Sequence, residues 1–132
     1  MGSRHLSVRI DRPVSEVYEF AADPANLHRW APGLGTTVAQ DDDGWFIDTT
    51  DGRVRLTFAP RNEYGVLDHE VRPPSGEPVY VPLRVVADGD GCEVVFTLRR
   101  SPGMTDAELD RDAALVTRDL GLLKRVLEGT AG

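Results

Sequence analysis

Residues 105–128 read TDAELDRDAALVTRDLGLLKRVLE, and this stretch decides what the rest of the chain has to supply. Thr105 followed by Glu108 is a capping box, in which side chain and backbone of each residue satisfy the other at a helix start. Leu109, Ala113, Val116, Leu120, Leu123 and Leu127 then recur at alternating spacings of four and three. That spacing predicts a helix of about 23 residues, over about 105–128, with one continuous apolar stripe. Asp106, Asp110, Arg111, Asp112, Arg118 and Asp119 fall on its other faces and read as solvated surface. Gly121 costs such a helix about 1 kcal/mol relative to Ala, and marks a bend or a close approach. The stripe needs a cover, and a sheet within the same domain is favoured over a coiled-coil partner.

The preceding text supplies that sheet. Between about 36 and 100, Asp43-Gly44, Asp51-Gly52, Asp88-Gly89 and Asp90-Gly91 offer the positive φ of tight hairpin turns, and 62–65 and 73–76 make longer ones. Six antiparallel strands follow, at roughly 36–42, 45–50, 53–60, 65–72, 78–87 and 92–100. Asp41-Asp42-Asp43-Gly44 lacks the alternating ligands and distal Glu of a calcium loop, and reads as a turn. Upstream, Leu6, Val8 and Ile10 alternate with polar residues in a strand over about 5–11. Pro13 and then Asp23-Pro24 open two short helices within about 13–33, the second ending at Pro32-Gly33. The order strand, two helices, six strands and long helix describes one α+β domain over 1–132.

Alternation sorts the strand residues between two faces. Val54, Leu56, Phe58, Leu67, His69, Val71, Val79, Val81, Leu83, Val85, Val94, Phe96 and Leu98 form the inner set, joined by Trp45 and Ile47, while Phe46, Asp68, Tyr80 and Arg84 face outward. On the inner face of the four later strands His69 is the only strongly polar side chain. It reads either as a core histidine satisfied by a carbonyl or water, or as a polar handle and proton-transfer group in an apolar pocket. Asp68, its neighbour, points the other way and is expected to meet Arg84 rather than to orient His69.

Composition narrows the partners. The chain has 132 residues, with 15 Lys+Arg against 22 Asp+Glu, for a net charge of -7. Such a charge repels nucleic-acid backbones and anionic membrane surfaces. The single Cys92 has no disulfide or CxxC partner. With no apolar leader and no membrane span, the expectation is a soluble, cytoplasmic protein. His5, His28, His69 and Cys92 lie in separate elements without metal spacing, so neither a metal nor a cofactor is expected. A chain of this length builds one core. At about 24 cal/mol per Å³, an empty hole of roughly 300 Å³ would cost about 7 kcal/mol, so a sizeable pocket has to be open or occupied.

Val8–Ile10, the string Arg12-Pro13-Val14-Ser15-Glu16-Val17-Tyr18, the stretch from Asp23-Pro24 to Trp30 and the long final helix together resemble the START/SRPBCC superfamily, in particular its polyketide cyclase/dehydrase-like branch. The resemblance implies the helix-grip fold, a seven-stranded curved antiparallel sheet wrapped around the C-terminal helix with an apolar cavity between them. It places Trp30, Leu34, Trp45, Phe58, His69, Val81, Leu83, Phe96, Ala113 and Val116 around that cavity. It implies binding of a small hydrophobic, cyclic or aromatic metabolite or lipid, by a monomer or homodimer. Two alternatives stand beside it: a polyketide cyclase/dehydratase-type enzyme with His69 as general acid/base, and a protein-interaction module without a ligand, for which the negative charge suits a basic partner.

Overall fold

The computed structural model describes residues 2–31, 38–74 and 76–129. β1 (Ser3–Ile10) leads into α1 (Val14–Ala21), a 3₁₀ turn at Pro24–Asn26 and the single-turn α2 (Leu27–Trp30). Seven strands follow: β2 (Val38–Asp41), β3 (Gly44–Thr49), β4 (Gly52–Phe58), β5 (His69–Arg72), β6 (Val79–Val81), β7 (Leu83–Asp88) and β8 (Gly91–Arg99). The chain closes with α3 (Asp106–Glu128). All strand pairs are antiparallel, in the orders β1-β8-β7 and β2-β3-β4-β5-β6. The architecture is the expected α+β helix-grip arrangement.

Among the described residues the strand count is eight in two sheets rather than seven in one, and Pro82 is the reason. It has no N–H to give a ladder, so the strand expected over 78–87 breaks there. Val81 pairs with His69 on one side of the break, and Leu83 with Phe96 on the other. The strand expected over 65–72 is interrupted at the same level. Leu67 N–H donates to the Leu83 carbonyl at 2.8 Å and Val85 N–H to that of Gly65 at 2.9 Å, after which Asp68 intervenes before β5 begins. Asp68 fills the gap: Leu83 N–H, freed by the break, donates to its Oδ1 at 3.0 Å. Asp68 was expected at the solvent, yet it is only 5% exposed. Arg84 does meet it, as expected, through Nε and Nη2 at 2.7 Å each, and Tyr80 Oη donates at 2.6 Å. This charge is buried but fully partnered, and the guanidinium holds its carboxyl well below the usual carboxylate range.

Ile10, Val17, Val94, Leu120 and Leu123 are essentially sealed in the core between sheet and α3. Both bonds of the capping box form at Thr105, which is the cap rather than the first helical residue. Gly129, in the left-handed conformation, ends the helix. At Gly121 a Cβ would meet nothing within 4 Å, so no close approach occurs there. Of the two Asp-Gly pairs at 88–91, only Gly89 takes positive φ. Gly91 belongs to β8, where a Cβ would stand 2.6 Å from the Ile10 carbonyl oxygen and push β1 away. Phe46 does lie on the outer face but is buried, because the Arg53 guanidinium covers its ring at 3.7 Å. Arg55 chelates Asp41 with two bonds of 2.7 Å and lowers that carboxyl to about 2, so the Asp41–Gly44 turn is tied by arginine.

Candidate functional site

A cavity of about 320 Å³ lies between the inner face of the sheet and the middle of α3, with α1 and α2 along one side. Alternation along β4 to β8 delivers Leu56, Phe58, His69, Val71, Val81, Leu83 and Phe96 to its floor, and α3 supplies Val116, Asp119 and Leu120. Tyr18 and Trp30 come from the short helices. At the mouth stands Arg61, its side chain 61% exposed, paired with Glu19 and lying over the Tyr18 ring. The walls are mostly aliphatic and aromatic, and the polar groups among them are few.

Of the residues expected here, Trp30, Phe58, His69, Val81, Leu83, Phe96 and Val116 line the cavity. Trp45 and Ala113 do not. Trp45 sits on β3, beyond β4, and packs against the core instead. Ala113 is buried a turn before the only stretch of α3 that reaches the cavity, and its methyl group is too short to extend there. Leu34 lies outside the described residues.

His69 is tilted against Phe58, ring centroids 5.8 Å apart. Its Nδ1 lies 3.1 Å from the Leu67 carbonyl oxygen, which only accepts, so Nδ1 carries the proton and donates. Nε2 is then an acceptor. Burial pushes the imidazole below its ordinary value and favours this neutral form. A carbonyl thus satisfies one nitrogen, and the ring forms part of the cavity wall.

Asp119 departs from the sequence reading. Expected on the solvated face of α3, it is part of the cavity wall, with its side chain 15% exposed. Its Oδ1 is buried without a hydrogen-bond partner among the described residues, and Arg118 Nε lies 3.8 Å away. Burial raises its pKa above the usual value, against the smaller opposing pull of Arg118. Trp30 Nε1 is likewise buried and unpartnered among the described residues. The spacing carried a signal for Asp119: it lies three residues after Val116 and four before Leu123, at the edge of the apolar stripe.

The family described as polyketide cyclase / dehydrase and lipid transport matches residues 1–128. The chain belongs to this family. No curated protein matches it in sequence. Among solved structures, the Aha1 dimer from Colwellia psychrerythraea superposes with a TM-score of 0.78 at 14% identity, over 100% of both chains. CalU16 from Micromonospora echinospora gives 0.68 at 18% identity, over 98% of this chain and 76% of that one. DynU16, from the dynemicin biosynthetic locus, gives 0.72 at 19% identity over 97% of this chain, which spans 48% of DynU16. At these identities the likeness is one of fold. Within the polyketide cyclase / dehydrase and lipid transport family, then, this member combines an apolar cavity with one imidazole and one partly buried carboxyl. Among the described residues no group of His, Cys, Asp and Glu is placed to hold a metal, and no helix is long and apolar enough to cross a membrane.

Proposed function

We propose that this protein binds a small hydrophobic, cyclic or aromatic molecule in the cavity between the sheet and α3. The carrying observation is the cavity itself, about 320 Å³ lined by Leu, Val and Phe with an indole at one side. The cavity opens beside Arg61 and so is reachable from solvent, and an apolar ligand makes contacts with its walls that water does not. At an interior packing density of about 0.75, it has room for about 240 Å³ of ligand, a bicyclic or tricyclic skeleton together with its substituents. Family membership supports the same reading. Native mass spectrometry of the purified protein, against a panel of aromatic and lipid ligands, tests it. Specific one-to-one adducts that raise the melting temperature are expected; no adduct with any member of the panel contradicts it.

A second reading is a cyclase/dehydratase-type enzyme, favoured by the neutral His69 whose Nε2 has no partner among the described residues. That nitrogen is suited to take a proton from an activated carbon of a poly-keto chain, and the walls to hold the chain folded. On this reading His69→Gln lowers kcat by about 10²–10⁴-fold on a competent substrate, and unchanged turnover removes His69 from the chemistry.

A further inference from the structure

The polar groups of the cavity are not distributed at random, and Asp119 has no part in either reading above. Polar atoms in an apolar wall are a specificity statement, because a buried group left unpaired by one ligand is paired by another. His69 Nε2 is an acceptor, since Nδ1–H is spent on the Leu67 carbonyl. Asp119 lines the same cavity from α3; its Oδ1 is fully covered and has no hydrogen bond among the described residues, so the acceptor open to contact is Oδ2. One from the sheet and one from α3, His69 and Asp119 line the same cavity. Trp30 contributes its ring to that wall, while its indole N–H is covered by protein.

The cations are elsewhere. Arg61 stands at the mouth and is engaged by Glu19. Arg118, 3.8 Å from Asp119, has a side chain 54% exposed to water. Among the described residues the interior thus offers acceptors and no buried positive charge. A ligand hydroxyl finds acceptors there. A ligand carboxylate of the same shape meets a like charge in a low-dielectric space.

We propose that Asp119 is a specificity-determining residue, which makes this cavity a receptor for neutral bicyclic or tricyclic aromatics bearing a hydroxyl group, and makes it reject their carboxylates. The inference rests on the small-molecule reading of the cavity. Naphthol, naphthoate and methylnaphthalene are matched probes of shape and differ in the polar group. Their affinities at neutral pH, by calorimetry on wild type, Asp119→Asn and Arg61→Ala, test it, with circular dichroism to verify folding. Naphthol is expected to bind wild type at least about tenfold more tightly than naphthoate, a preference that Asp119→Asn collapses by admitting naphthoate. Arg61→Ala is expected to leave the preference unchanged.

If none of the three binds folded wild type, the small-molecule reading fails and takes the proposal with it. If all bind alike and Asp119→Asn changes nothing, the cavity remains a binding site and the role of Asp119 is overturned. Naphthoate binding tightest, with the affinity lost in Arg61→Ala, also overturns it, by placing the polar end at the mouth.

Discussion

Asp68 is buried and Asp119 partly buried, and the protein treats the two carboxylates in opposite ways. Asp68 accepts four hydrogen bonds, from Tyr80, the Leu83 amide and two nitrogens of Arg84, and its pKa is depressed. Asp119 has no hydrogen bond to its buried Oδ1, and its pKa is raised. The first sits on the outer face, where two strands break at one level, and stitches the sheet across the break. The second sits where the sheet and helix part to leave a cavity. A buried charge that is fully partnered belongs to the fold, while a partly buried one whose ion pair, to Arg118, is 3.8 Å long contributes little to it.

The largest effect that separates them is on stability. Asp68→Ala leaves the Leu83 amide and the Arg84 fork without their acceptor, and is expected to destabilise by about 3 kcal/mol in urea denaturation. Asp119→Leu removes an unsatisfied carboxyl and is expected to stabilise by about 1 kcal/mol at neutral pH. Equal losses from both would break the comparison.

The pH dependence sharpens it. The raised pKa of Asp119 means that the folded protein holds its proton more firmly than the unfolded chain does, so the ionised group is a liability above that value. Wild type therefore regains stability relative to Asp119→Leu as the pH falls through the raised pKa, and the regain is complete below the ordinary 3.8. Asp68 has the other sign. Its contribution is present above 3.8 and lost as the pH falls through its depressed folded value, so wild type loses its advantage over Asp68→Ala in strong acid. Denaturation curves across the acid range for the three proteins check both. A gap between wild type and Asp119→Leu that widens on acidification would contradict the assignment.

The smallest effect concerns the backbone beside Asp119. With open space where a Cβ would go, Gly121→Ala is expected to stabilise by up to about 1 kcal/mol and to leave ligand affinity unchanged. That result would separate the helix's backbone from the side chain that sets specificity.

Periodicity made most of the fold legible. The stripe from Leu109 to Leu127, the alternation of the strands and the capping box at Thr105 each name a local geometry with a single physical solution. What escaped was long-range. The bond from the Leu83 amide, freed beside Pro82, to Asp68 depends on two segments meeting at one level, and nothing local to either announces it. Trp45 shares the inward phase of Leu56 but stands one strand too far from the cavity, a distinction alternation does not make. The charge of Asp119 reads as solvated surface, while its position beside Val116 and Leu123 puts it at the stripe's edge, where the cavity leaves room for a carboxyl.

The two tryptophans offer the most direct test of the claim that an aromatic ligand occupies this cavity, since Trp30 lines it and Trp45 does not. Fluorescence of Trp45→Phe, which keeps only Trp30, is expected to be quenched saturably by naphthol, while that of Trp30→Phe is little changed. Equal quenching of both, or of neither, would contradict the account.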